Sequence, residues 1–141
     1  MAIRQLNPYL NFNGTADQAI QLYQSALGAK PENVTRFGDA HVGIPMSPAD
    51  KNRVLHAVLK LGAGTIMLSD TMPDAPTATE GNVTVMLDFD DVADLTTRFN
   101  ALAAGGKVTM PLADTFWGAK FGMLTDAFGV RWMFNCETRK S

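Results

Sequence analysis

Two landmarks recur at one spacing, and that spacing constrains the fold more than any single motif does. Phe12 closes an alternating stretch over residues 6–12, and Phe89 closes another over 82–89. The two phenylalanines lie 77 positions apart. Gly28 and Gly105, each placed to stop a helical pattern, are also 77 apart. Strand-then-helix repeated at one offset is the signature of two copies of a single supersecondary unit.

The local patterns fill in both copies. In the first, Asn7, Tyr9 and Asn11 alternate with Leu6, Leu10 and Phe12, which predicts a half-buried strand. Asn13-Gly14 breaks it, and Thr15 with Gln18 three residues on has the form of a capping box. Ala19, Ile20, Tyr23, Ala26 and Leu27 then make one apolar helical stripe, which Gly28 ends. A short strand is expected over 32–37 and an irregular loop over 38–52. A hairpin follows, 53–61 and 65–70 turning at Gly62-Ala63-Gly64. Residues 71–81, with Pro73, Pro76 and three threonines, read as a linker.

The second copy has Val83, Val85, Leu87 and Phe89 on one strand face. A helix from about Asp91 carries Val92, Leu95, Phe99 and Leu102 on one stripe, and a strand is expected over 107–112. Its closing hairpin is rich in large side chains and lies in the stretch 114–135 that holds both tryptophans, Trp117 and Trp132. Asp126-Ala127-Phe128-Gly129 supplies an acceptor for its own backbone and a glycine free to take positive φ, so it reads as a four- or five-residue turn. The expected organisation is one α+β domain of two βαβββ modules, 1–75 and 76–141.

Composition excludes several function classes. A formal charge of −2 with scattered Lys and Arg argues against a nucleic-acid partner, which needs a basic face. No apolar run approaches the roughly 20 residues of a membrane span. The first residues lack the apolar core of a signal peptide, and one cysteine excludes an internal disulfide, so a cytoplasmic location is expected. There is no GxSxG, no GxxxxGK[ST] and no GxGxxG after a strand. Gly62-Ala63-Gly64 turns into a strand, so it lacks the helix N-terminus that cradles phosphate. Cys136 has no nearby partner for nucleophilic chemistry.

The segments PYLNFNG-TADQAIQLYQSALGA, HAVLKLGAGTIMLSD and FWGAKFGMLTDAFGVRWMFN together resemble the vicinal-oxygen-chelate superfamily, which includes glyoxalase, bleomycin-resistance and extradiol dioxygenase proteins. The likeness is greatest to its PhnB-like branch and covers nearly the whole chain, most weakly over 31–52. It implies a curled mixed sheet with a concave cavity, and a homodimer. Enzymes of the superfamily hold a metal with His, Glu or Gln at four strand positions. Those positions fall here on Asn7 (or Pro8), near Leu68, on Thr84 and on Met133, none of which suits a divalent cation. The expectation is therefore a protein without the usual metal centre and without a cofactor.

Candidate ligand-binding residues follow from the faces this fold assigns. Tyr9, Asn11, Met133 and Asn135 fall on the cavity side, where amides orient a ligand without charge or simply satisfy backbone groups. Trp117 precedes Gly118 in a loop expected to overhang the cavity, as a stacking surface or a plain lid. His56 is either a rim histidine bonded to a neighbour or an acid, base or anion contact. Asp70 is either a carboxylate capping a turn or a general base. Asp126 reads as structural, Trp132 as core, and the eight methionines as a soft wall or core filling. His41 lies in the Gly/Pro-rich loop, so a histidine-rich metal cluster is excluded by count. The leading expectation is a small-molecule binding protein that sequesters an apolar or aromatic compound. The alternatives are a lyase, isomerase or dioxygenase using His56 and Asp70, and an interaction module with no ligand.

Overall fold

The structure, a computed structural model, describes residues 2–40, 45–72, 74–79 and 81–138. The chain divides into two compact units, Met1–Ala78 and Thr79–Ser141. The first contains β1 (Tyr9–Phe12), α1 (Ala16–Leu27), β2 (Lys30–Arg36), a 3-10 turn (Phe37–Ala40), α2 (Pro48–Lys51), β3 (Val54–Leu61) and β4 (Gly64–Asp70). Its strands lie in the order β1-β4-β3-β2, with β1 parallel to β4 and the other pairs antiparallel. The second contains β5 (Val85–Phe89), α3 (Val92–Leu102), β6 (Lys107–Asp114), β7 (Ala119–Thr125) and β8 (Arg131–Glu137), in the matching order β5-β8-β7-β6.

Each helix covers one face of its own sheet. In the first unit Ala16, Ala19, Ile20, Tyr23, Ala26 and Leu27 are buried along α1. Three small alanines let the helix lie close to the face made by Phe12, Ala57, Leu59, Ile66 and Leu68, all buried. Gly28 then takes φ 69 and returns its N–H to Gln24 O, the left-handed stop expected of it. In the second unit Leu95, Phe99 and Leu102 of α3 are buried with Leu124, Trp132 and Phe134. A Cβ on Gly122 would meet the Phe99 ring at 3.0 Å, so the missing side chain is what admits that ring.

Several local expectations are corrected. Leu6 is 84% exposed, because the strand starts only at Tyr9. Pro8 has no N–H to donate, and only its carbonyl joins the ladder, accepting from Met67 N at 3.0 Å. Val83 likewise lies outside β5 and is 77% exposed. The strand expected over 32–37 runs over Lys30–Arg36, and Phe37 turns inward to become buried. The described part of 38–52 holds α2, whose Ser47 cap accepts from Asp50 N; His41 lies outside the described residues. Most informative is the capping box, which does not form: Thr15 makes no side-chain cap bond. Asp70 at the end of β4 takes over, its Oδ1 accepting from Gly14 N at 2.9 Å and Ala16 N at 3.0 Å.

The paired registers show how the copies correspond and where they part. The pair Lys30↔Lys60 is matched by Lys107↔Thr125, and Leu10↔Leu68 by Leu87↔Phe134. The offset is 77 for Lys30 and Leu10 but 65 for Lys60 and 66 for Leu68. The first unit thus carries 12 additional residues between β2 and β3, the stretch that includes α2. At the strand ends Phe12 pairs with Asp70 and Phe89 with Cys136, so a thiol stands where the first copy has its capping acid. The second copy caps its helix locally instead, with Asp91 Oδ2 accepting from Asp94 N at 2.9 Å. No helix of the described residues is long and apolar enough to cross a membrane.

Candidate functional site

Among the described residues the long helix of each unit lies on one face of its sheet, and strand alternation fixes what the other face displays. On the second unit one row is Met86, Met133, Met123 and Met110, paired in that order across all four strands. Four thioethers side by side form an apolar, polarisable strip that adapts to irregular shapes. Met86 and Met110 at its two ends are exposed. The adjacent row is Asp88, Asn135, Phe121 and Ala113, with Asn135 Nδ2 donating to Asp88 Oδ1 at 2.9 Å. Trp117, half exposed in the turn before β7, sets its ring edge against Phe121 at 6.0 Å, and Phe116 packs on Trp117 at 4.9 Å.

The first unit displays different chemistry at matching positions. One row is Tyr9, Met67, Val58 and Glu32, and the next is formed by Asn11, Ser69, His56 and Thr35. Tyr9 Oη and His56 Nδ1 lie 3.0 Å apart, with the rings tilted by 33°. Tyr9, Asn11 and His56 thus gather on one face, while Met133, Asn135 and Trp117 gather on the corresponding face of the other unit.

Asp70 does not join them. It alternates with Ser69, so it projects to the helix side of the sheet, opposite His56. There it is 4% exposed, and besides the two bonds to the start of α1 its Oδ2 accepts from Val54 N at 2.9 Å. An acid on the other face with three N–H donors on its oxygens is a structural tie, the capping reading of Asp70 and not that of a base beside His56. Asp126 ties the second unit in the same way. It accepts from Phe128 N, Val130 N and Trp132 Nε1, all at 2.9–3.0 Å. An open groove of about 360 Å³ beside α1, lined by Asp17, Asn52, Arg53 and Asp70 among others, offers little free charge. Asp17 forms a fork with Arg36 at 2.8 and 3.1 Å, which holds the Arg36 guanidinium pKa above its ordinary value. Arg53 donates twice to Thr71 O.

The positions at which the resemblance implies metal ligands do not fit a metal. Leu68 is fully buried on the helix side and is not on the open face at all. Met133 is a thioether within the methionine row, and Thr84 is a hydroxyl just before β5. Among the described residues no three His, Cys, Asp or Glu side chains come together in a metal-sized group. Cys136 is 1% exposed, and burial pushes its thiol pKa up, with Asp88, Asp91 and Asp90 adding to the effect. In the folded protein iodoacetamide is therefore expected to alkylate it on the order of 100-fold more slowly than a free thiol, with full reactivity regained in denaturant. Mass spectrometry of the timed reaction checks this.

Sequence reasoning found most of the residues on these faces but missed Asp88, Met110 and Phe121. Asp88 and Phe121 were recoverable from alternation. Met110 was not, since the register shift between Val108 and Met110 sets its face.

The family model of the Glyoxalase/Bleomycin resistance protein/Dioxygenase superfamily matches residues 5–134. Protein YjdN of Escherichia coli (strain K12) is 36% identical over 142 aligned positions, covering 92% of this chain and 93% of that one. The crystal structure of protein PA1353 from Pseudomonas aeruginosa is 42% identical, with a TM-score of 0.84 over 97% of this chain and 100% of the other. A PhnB protein from Bacillus cereus shares the fold at 23% identity, with a TM-score of 0.77 over 94% and 99% of the two chains. Two open four-stranded mixed sheets, each backed by one long helix, and a match over nearly the full length agree: this chain is an α+β member of the Glyoxalase/Bleomycin resistance protein/Dioxygenase superfamily, with PhnB-like proteins among its structural neighbours.

Proposed function

We propose that this protein binds an apolar or aromatic small molecule, without the superfamily's usual metal centre, on the open face of the second sheet. The observation that carries the reading is the row Met86, Met133, Met123 and Met110 bordered by Phe121 and Trp117. A monomeric sheet does not usually leave such a row to water, and thioethers beside aromatic rings suit a flat apolar guest. The Asp88–Asn135 pair at the edge supplies a polar contact for orientation. The enzymatic alternative loses its second group, because Asp70 lies on the other side of its sheet from His56.

A thermal-shift screen of aromatic metabolites, with hits followed on ¹³C-methyl methionine signals, tests the proposal. A compound at about 100 times its Kd adds about 2.7 kcal/mol, which raises Tm by roughly 8 °C for a chain of this size. The same compound is expected to move the Met86, Met110, Met123 and Met133 methyls, and Met133→Glu to abolish its binding. A screen without hits, or hits that leave those methyls unmoved, rejects the reading.

A further inference from the structure

The open face of the first unit carries a second recognition element that uses none of the methionine row. We infer that His56, held in place by Tyr9, donates a hydrogen bond from Nε2 to an oxygen acceptor on a small molecule, a carboxylate or a carbonyl.

The two side chains start from β1 and β3, which are separated by β4. Alternate strands lie about 10 Å apart, so the rings must lean toward each other to meet. They do, with centroids 5.7 Å apart and Oη 3.0 Å from Nδ1. Ser69, on the strand between them, is only 8% exposed. A neutral imidazole has one donor and one acceptor nitrogen. A phenol is a much stronger acid than an imidazole N–H, so the Tyr9 hydroxyl donates and Nδ1 accepts. The proton of the ring is thereby placed on Nε2, and the bond at Nδ1 fixes both tautomer and orientation.

Among the described residues Nε2 has no hydrogen-bond partner. One oriented N–H therefore faces outward, with Val58 and Met67 as apolar neighbours and Asn11 and Thr35 at the margin. Lys60, the cation of the same strand face, already donates to Thr65 Oγ1 at 3.0 Å. An arrangement that offers a donor and apolar flanks at His56 selects a ligand by its acceptor, with the Glu32 carboxylate, paired to Val58, farther along the same face.

The test uses the full chain labelled with ¹⁵N and two probes of similar shape, benzoate and ethylbenzene. Long-range ¹⁵N–¹H spectra at slightly alkaline pH are expected to show His56 as the Nε2–H tautomer and its signals moving with benzoate. Ethylbenzene is expected to bind at this face at least about ten-fold more weakly than benzoate. His56→Phe should weaken benzoate by about ten-fold, while His56→Asn, which keeps an amide donor, restores part of the loss. Tyr9→Phe, at unchanged Tm, should give a mixture of tautomers and about three-fold weaker binding, a readout that a merely structural tyrosine would not move. An Nδ1–H tautomer in the wild type, equal binding of benzoate and ethylbenzene, or benzoate that leaves His56 unmoved overturns the inference. Methionine methyl signals from the other unit are read separately, so either site can fail without the other.

Discussion

Replacing Asp70 with alanine is expected to lower folding stability by about 3–5 kcal/mol, which corresponds to a fall in Tm of roughly 10–15 °C. The size follows from what the carboxylate holds. Gly14 N and Ala16 N lie at the start of α1 and Val54 N at the start of β3, and all three donate to Asp70. An ordinary N-cap replaced by alanine costs about 1 kcal/mol because water reaches the freed donors. Here Ala16 and Val54 are fully buried, so their N–H groups would stay unpaired in a dry site. Asp70→Asn separates charge from shape. It keeps an acceptor oxygen but turns an amide toward an N–H donor, so about half of the loss is expected. Calorimetry on the three proteins decides the matter, and a change under about 1 kcal/mol for Asp70→Ala would refute the tie described for this acid.

The second large effect is expected at Asp126, where alanine should cost about 3 kcal/mol. Two of its bonds close the β7–β8 turn, at Phe128 N and Val130 N, and the third anchors Trp132 Nε1. Trp132 is completely buried, so water does not reach its indole N–H to replace the lost carboxylate. Trp132→Phe removes that donor and leaves the turn bonds intact, with an expected loss of about 2 kcal/mol. The double variant then isolates the shared bond: a coupling of about 1 kcal/mol or more is expected from urea denaturation of the four proteins. Strict additivity would mean that the bond contributes nothing.

How far the chain could be read in advance depended on the range of the interaction involved. The helices at 16–27 and 92–102 were legible because their apolar stripes are local; the first also ends on a local left-handed stop, Gly28 at φ 69, whereas the second ends at Ala103 in the right-handed region, before Gly105. The turn from Asp126 to Gly129 was legible for the same reason: its acid bonds backbone only two and four residues away. The cap of α1 was misread, since Thr15 and Gln18 are only three residues apart while the true acceptor lies 54 residues beyond Ala16. Near position 68, where the resemblance sets a ligand, pairing turns Leu68 toward the helix and its neighbours Met67 and Ser69 outward, a detail no single strand reveals. The open faces were legible as residue types but not as rows. Four methionines scattered from 86 to 133 become neighbours only when four strands are paired in one register.

One consequence of the matched registers concerns how such a chain can change. In both halves most of the interior is assembled on the side that meets the helix, and the bonds from the two aspartates are confined to that side or to a turn. Lettering on the outward rows is therefore decoupled from folding: tyrosine and histidine stand in one copy where methionine and phenylalanine stand in the other, on the same scaffold. A lineage that inherits this arrangement can rewrite its outward chemistry residue by residue, one copy at a time, while the hidden half keeps the shape.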